Sequence, residues 1–546
     1  MNNNQFELYN DIPQDKFAFA KSAGDRHDQK LDTKPVGYFR DAFSRFAKNK
    51  ASVVAAIVIL ILILYAIVGP FFIEDSYVDA YATDKYIAMY QNLLPRLNIF
   101  EGTGFWDGSE VKEVSSATYW KYKGIAQETG LNPIQKVISM EVVGDEIVGQ
   151  SIMYKLRVDT YYTLKTFEVT FASLEEFREL QRWQDENGIQ VILPTVDRTK
   201  SKITSDMSVW YECDRQGVPV FDENGELIPA YVQTGTDKYD STMRIAGDPG
   251  IKALERVAGI TDAEERQAAL NSDPDWLHRY RYAYRGSSGA GDGALNYVVR
   301  VNAYNYFRYQ YGFKPGFAFG TNSKGYDIFT RLASGARFSF ILAICVSIIN
   351  LTIGAIYGAI EGYYGGAADM IMERVSDILS GVPSTVVTIL FQLHLADKVG
   401  VVGALVYSFV LTGWIGMASS VRMQFYRYKN QEYVLAARTL GANDWRIIWK
   451  HIFPNSLGTL ITGSVFVIPG VMLSETSLSY LGILNLDSPT RASIGAMLSA
   501  GKDNMSTYPH VVFFPALFIG LLMICFNLFG NGLRDAFNPA LRGTEE

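Results

Sequence analysis

Few residues in this 546-residue chain combine type and spacing in a way that could carry chemistry. A nucleoside triphosphate needs a glycine-rich loop closed by lysine and a hydroxyl residue. The nearest stretch, residues 495–502 (GAMLSAGK), has the wrong spacing, and Asp503 stands where a serine or threonine must reach magnesium. There is no H-E-x-x-H, and the five histidines are too scattered to gather a metal. Nothing pairs a nucleophile with a base. The reading is non-enzymatic: no catalytic residue, no metal site and no cofactor bound by this chain. What remains is charge in unusual places. Asp369, Glu373, Arg374 and Asp377 recur at helical spacings ahead of Pro383, and Arg374 and Asp377, three apart, can pair on one helix face. Such a cluster either fixes a helix end as a structural charge network or offers a contact to a partner. Glu475 lies in VIPGVMLSETSLSYLG, deep in an otherwise uncharged run. An acid at that depth either lines a pathway or caps a helix end where Pro469-Gly470 has disturbed the backbone.

The elements that hold these residues follow from composition. A hydrophobic content of 48% and a net charge of −7 average over two populations. The ends are membrane-like, whereas residues 73–320 are polar and carry about −10. That acidic balance argues against a nucleic-acid partner. Cys213, Cys345 and Cys525 make no disulfide framework, since two sit in apolar runs and Cys213 stands alone in the polar middle. Residues 1–33 predict a mobile cytoplasmic tail, and the first apolar run starts too late for a cleaved leader. A short helix over 37–50 puts Phe39, Phe43 and Phe46 on one side and Arg40, Arg45, Lys48 and Lys50 elsewhere, as an interfacial helix does.

Residues 51–72 hold about 20 uncharged apolar positions, enough to cross ~30 Å of hydrocarbon. Further runs at 338–357, 378–395, 399–419, 457–473 and 510–529 predict six spans in all. Basic residues before the first run, with Glu74, Asp75 and Asp79 after it, put the N-terminus inside, and six spans put the C-terminus there too. The expected architecture is an α-helical membrane protein with a large extracytoplasmic α+β insert between spans 1 and 2. Its parts are a tail and interfacial helix (1–50), a first span (51–72), the insert (73–319), and an outer interfacial segment (320–337) built on Tyr326, Phe329, Arg331, Leu332 and Arg337. A five-span core (338–534) with a cytoplasmic loop (421–455) and a cytoplasmic tail (535–546) complete it.

Within the insert, residues 140–171 alternate in strand fashion around a Gly144-Asp145 turn. Residues 173–188 predict a helix with a Ser173/Glu176 capping box, and 218–232 a hairpin turning at Asn224-Gly225. Strands are expected at 189–193 and 208–213, helical and acidic structure over 251–277 and a flexible loop over 286–293. Residues 296–313 concentrate Tyr297, Tyr304, Tyr306, Phe307, Tyr309 and Tyr311, either to line a groove or as the two faces of an ordinary strand.

The loop 421–455 carries Arg422, Arg427, Lys429, Arg438, Arg446 and Lys450 against Glu432 and Asp444, which places it in the cytoplasm. Residues 432–440 predict a helix with Val434, Ala437 and Leu440 on one face, stopped by Gly441. Asn443 caps a second helix bearing Trp445, Ile448, Trp449 and Ile452, and Pro454 ends it. Two short helices at a bend form either a solvated hairpin or a knob that fits a partner's groove.

That run, Glu432-Tyr433-Val434, Ala436-Ala437-Arg438, Gly441 and then His451-Ile452-Phe453-Pro454-Asn455, resembles the coupling loop of ABC importer permeases, most of all the oligopeptide/dipeptide (OppC/DppC-like) branch. Leu435 replaces the acidic residue that the wider importer pattern has before the two alanines; Glu432 supplies it earlier, as in the peptide branch. FGTNSKGYDIFTRLASGAR, the Asp369…Arg374…Asp377…Pro383 series, ETSLSYLG and GNGLRDAFNPALR also resemble that family; 73–319 does not. The resemblance implies a six-span type I permease subunit in the cell membrane, with Glu432, Tyr433, Ala436, Ala437, Arg438, Gly441, His451, Pro454 and Asn455 coupling it to ATPases. It also implies a homologous second permease, two cytoplasmic ATPases holding ATP and magnesium, an extracellular solute-binding lipoprotein and a peptide substrate. The alternatives are a permease for nickel or another small solute, and a membrane receptor whose insert senses a ligand.

Overall fold

In the computed structural model, residues 38–72, 90–143, 151–203, 206–233, 245, 247–287, 295–486 and 492–537 are described. The 1–33 tail, the acidic residues after the first span, the Gly144-Asp145 turn and most of the 286–293 loop lie outside them. Helix α1 (Tyr38–Lys48) is followed by α2 (Lys50–Phe72), apolar on every side as a lipid-immersed helix is.

Among the described residues the insert holds two antiparallel sheets. Strands β1 (Ser109–Ser115), β2 (Ile134–Val143) and β3 (Ser151–Asp159) pair in the order β1-β3-β2. Strand β4 (Thr166–Phe171) pairs with β7 (Leu295–Asn302), which also receives β5 (Ile192–Leu193) and β6 (Ala283–Ser287). Helix α3 (Ser116–Thr129) covers the first sheet; α4 (Leu174–Asn187), capped by Ser173 as expected, packs on the second. Three short helices, Pro249–Val257, Ala263–Ser272 and Pro274–Leu277, occupy the stretch expected to be helical. Arg300 of β7 and Glu128 of α3 form a buried bidentate pair, with Arg300 also donating to Pro194 O and Met207 O. The hydrogen bonds are what make that pair tolerable away from water.

The aromatic run is not a strand throughout. Asn302 accepts from the backbone N–H groups of Tyr304 and Asn305, starting helix α5 (Ala303–Tyr311), and Gly312 closes it at φ 73°. Tyr304, Tyr306 and Phe307 thereby enter the insert's core, so these rings are packing rather than a groove.

Helix α6 (Ile328–Tyr364) is one continuous rod of 37 residues, about 55 Å at 1.5 Å per residue. Its first turns are the residues read as a separate interfacial segment. Asp327 caps it, and Arg331, instead of lying in the interface, is buried over the Tyr326 ring. Next come α7 (Gly366–Ser380), α8 (Ser384–Gly413) and α9 (Ile415–Tyr428). Inside α8 the backbone at Gly400 (φ 80°, ψ 159°) is not helical. The Thr388 hydroxyl meets that of Ser408 at 3.2 Å, although twenty residues of straight helix would span about 30 Å. The chain therefore reverses at Gly400, making two antiparallel legs.

Helix α10 (Glu432–Thr439), α11 (Phe453–Ser464), α12 (Val467–Tyr480), α13 (Ile494–Gly501) and α14 (His510–Phe537) complete the order. Among the described residues, five helices are long and apolar enough to cross a membrane, where six separate runs were expected; the Gly400 hairpin lies within one of them. Helices α2, α6, α12, α13 and α14 share one apolar core. Helix α6 lies against α9 through Gly354, Gly358 and Gly362. A Cβ at Gly358 would sit 2.1 Å from Ala418 O, so only glycine lets the two backbones come this close.

The insert is seated on the helix ends. The Leu93 N–H donates to the Thr321 hydroxyl, and His510 at the start of α14 lies 3.3 Å from Thr321 O. Gly320, at φ 75° with Leu93 O and the His510 ring against it, has no room for a side chain.

Candidate functional site

The 432–455 loop is rooted by its buried residues. Val434 from α10 and Ile447, Ile448 and Ile452 beyond the bend pack with Ala355, Ala359 and Tyr363 of α6 and with Val421 and Phe425 of α9. Gly441 makes the bend at φ 82°, a conformation that L side chains rarely adopt. The Asn443 side chain accepts from Arg446 N, the cap expected of it.

Pro454 does not end the second helix. Residues Ile447–Ile452 form a π-turn, in which Phe453 N–H donates five residues back to Ile448 O. The widened turn shifts the hydrogen-bond phase, so proline falls in the first turn of α11, where its missing N–H costs nothing. The loop and the following apolar helix are therefore one continuous piece.

The coupling residues divide into a base and a crown. Ala437 is buried and His451 half-buried; Glu432, Tyr433, Ala436, Arg438, Gly441, Pro454 and Asn455 are exposed. Arg438 reaches back to Tyr363 OH at 3.3 Å, and that hydroxyl donates to Asp444 at 2.6 Å, so Tyr363 of α6 bridges both sides of the bend. Asn455 donates to His451 O and to Tyr433 OH, tying the loop's exit to its entry. On the outside, Leu440 (87% exposed), Trp445 (64%), Leu435 and Tyr433 form an apolar crown. Leu440, expected on the packed face, points to solvent instead because Gly441 turns the chain one residue later.

The charge cluster assembles around a residue whose role the spacing did not reveal. Arg422 of α9 holds Asp369 with two bonds (2.5 and 2.9 Å) and Glu373 with two more (3.1 and 3.0 Å), and lies 3.4 Å from Glu361 of α6. Tyr426 OH also donates to Asp369. These bonds hold the Asp369 carboxyl below the usual carboxylate range, the Arg422 guanidinium being the main cause. Arg374 and Asp377 pair with each other at 2.9 Å, but both are exposed and stand apart from the clamp. The expected triad is therefore two separate features, because Asp369 turns toward α9 rather than along its own helix.

Glu475 lies in the middle of α12, not at a helix end, and is wholly buried. It accepts from Ser339 of α6 at 2.9 Å and from Ser479 at 3.1 Å. An adjacent face of α12 borders a cavity of about 530 Å³ between α6, the two legs of α8 and α12. Its polar lining is Asn350, Ser384, Thr385, Thr388, Thr412, Ser474 and Ser477, amid apolar residues, with no charged side chain. Glu475 is not among the lining residues; it joins α12 to α6 from behind. The sequence reading did not single out these hydroxyl residues, because bringing them together needs the Gly400 reversal.

Residues 350–543 match the family described as the binding-protein-dependent transport system inner membrane component, and residues 37–95 match the N-terminal TM domain of oligopeptide transport permease C. Residues 96–349, which hold most of the insert, lie between the two matches. The oligopeptide transport system permease protein OppC of Bacillus subtilis is 43% identical over 224 residues, covering 41% of this chain and 72% of that protein. The dipeptide transport system permease protein DppC of the same organism is 41% identical over 225 residues, covering 41% and 69%. The glutathione transport system permease protein GsiD of Pectobacterium atrosepticum is 34% identical over 249 residues, covering 45% and 81%. The chain belongs to the OppC/DppC-type family of ABC importer permeases.

Proposed function

We propose that this chain forms half of a peptide pathway across the cell membrane, switched by ATP that partner subunits hydrolyse. The observation that carries the reading is the rod α6. Tyr363 near its end lies under the 432–455 loop, and Asn350, thirteen residues back and about 20 Å away, lines the hydroxyl cavity. Displacing the loop displaces the cavity wall, because a packed helix has no soft joint between the two points.

In this reading Glu432, Tyr433, Ala436, Ala437, Arg438 and Gly441 hold the docking helix, and His451, Pro454 and Asn455 its exit. The exposed Leu440 and Trp445 enter a cleft on an ATPase subunit. A homologous second permease closes the open side of the cavity, an extracellular lipoprotein delivers substrate, and two ATPases carry the ATP and magnesium. The two legs of α8 are two spans, which brings the count to six and leaves the 421–455 loop and both termini in the cytoplasm. The insert then projects outside the cell. A neutral wall of hydroxyl and amide groups suits peptides of varied sequence, since it can bond their shared backbone without selecting side-chain charge.

The test is competition for uptake in vesicles holding the assembled transporter. Unlabelled oligopeptides should suppress entry of a labelled peptide, and a nickel chelate should not. Uptake of the chelate with indifference to peptides would overturn the substrate assignment.

A further inference from the structure

Residues 97–107 form a short loop whose shape is tightly specified although four of its apolar side chains, Leu97, Ile99, Phe100 and Phe105, are exposed. Asp107 accepts from Gly104 N, Ser109 N and the Ser109 hydroxyl. The Thr103 hydroxyl bonds Phe100 O, and the backbone at Gly102, Gly104 and Trp106 is left-handed, with φ 51° at the tryptophan. A large L residue held at positive φ is an unfavourable conformation that the surrounding contacts must impose. They do: the Trp106 indole N–H donates to Ala318 O, and its ring packs into the core shared by the long apolar helices. Meanwhile Ile99 is 85% exposed, Phe105 64%, and Leu97 and Phe100 are also exposed.

These side chains continue a surface already apolar for another reason. Phe100, Phe105, Trp106, Phe514 and Phe513 make a chain of ring contacts, each 5.4–5.9 Å from the next. Phe513 begins the exposed stripe of α14 that runs on through Leu517, Leu521, Ile524 and Leu528. The stripe lies on the face of α14 turned away from the core that helix shares with α2, α6, α12 and α13, and none of its residues lines the hydroxyl cavity. The stripe therefore meets lipid rather than the pathway. The one charge in residues 97–106 is tethered: Glu101 is paired with Arg96 and Lys314, which lie outside that segment. Aromatic and aliphatic tips below, with a paired acid and lysine beside them, match the boundary between acyl chains and headgroups.

We propose that residues 97–106 are a lipid anchor that seats the insert on the bilayer leaflet of its own side, its partner being the acyl–glycerol region of phospholipid. The insert is thereby held at a fixed height over the helix ends. This goes beyond the transport reading and does not depend on the substrate.

The test places an environment-sensitive nitrobenzoxadiazole label at Ile99→Cys and, separately, at Phe105→Cys, in full-length chain carrying Cys345→Ala. The other two native cysteines, Cys213 and Cys525, are buried. The protein is studied in phosphatidylcholine nanodiscs, alone and assembled with its partner subunits. The expected result is blue-shifted emission, with most of it lost when the lipid carries a nitroxide high on the acyl chain and little lost to aqueous iodide, alone and assembled alike. A label at Glu265→Cys, on an exposed insert helix, provides the iodide-quenched reference. Iodide quenching at 99 and 105 equal to that reference would overturn the anchor. So would shielding from both quenchers, whether in the isolated chain or only after assembly, since protein would then be what covers the loop.

Discussion

Replacing Arg422 with methionine should loosen the cytoplasmic end of the bundle at one place. The side chain is 22% exposed and bonds Asp369 at two points, where the carboxylate is 13% exposed. Hydrogen bonds of this charged kind contribute about 1.5–3 kcal/mol together with their geometry. The Glu373 arm, 44% exposed, adds ~0–1 kcal/mol because water screens it. Methionine also leaves Glu361, Asp369 and Glu373 facing one another without a cation. The sum is about 1.5–4 kcal/mol of local opening free energy, which corresponds to roughly 10- to 900-fold faster amide exchange. Hydrogen–deuterium exchange read on peptides from α7 measures this without assuming that so large a chain unfolds in one step. Asp369→Asn should have a smaller effect, and the double variant should exchange more slowly than the product of the two single effects predicts, by about 1 kcal/mol or more. Arg374→Ala, removing the exposed pair, should change exchange by about twofold or less. If Arg422→Met is no faster than Arg374→Ala, the clamp carries no energy and the argument from its geometry is wrong.

Other consequences are as direct. Gly358→Leu should force α6 and α9 apart, costing about 3 kcal/mol or more, and appear as loss of folded protein in a thermal-shift assay; Gly416→Ala, where nothing lies within 4 Å, should be tolerated. Leu440→Asp with Trp445→Asp should leave thermal stability within about 0.5 kcal/mol of wild type, yet weaken ATPase-subunit binding in a pull-down at least tenfold. The stability difference between wild type and Asp369→Asn should hold steady above pH ~4 and shrink below it. The sign follows from the depressed Asp369 value: as pH falls, the unfolded chain takes up the proton first, so the clamp's contribution is lost through the folded group's lower range.

Much of this was legible from residue type and spacing, and the parts that were not share a cause. Gly441, Asn443 and Ser173 act through their own backbone neighbourhood, so their roles as bend and caps could be read locally. Asn302 and Gly312 bracket α5 by the same chemistry, but the density of aromatics suggested a strand, and tertiary burial suits either element. Pro454 misled because the rule that proline ends a helix assumes an α-helical phase, and six residues of π-turn change that phase. Arg422 and Gly400 were invisible for a different reason. Each matters through a residue on another helix or leg, and spacing along one helix carries no information about contacts across helices. Gly354, Gly358 and Gly362 were the missed signal that sequence did contain, since a small residue at every fourth position marks a close helix pair.

The most direct test of the central claim is the number of peptides moved per ATP hydrolysed, in vesicles holding this chain with its partner permease, both ATPases and the binding protein. Gly441→Val cannot easily keep φ 82°, so it should distort the bend while leaving the ATPase subunits intact. The account predicts that this ratio collapses while hydrolysis continues, and that omitting the ATPases abolishes uptake. An unchanged ratio in the variant, or full uptake without the ATPases, would contradict it.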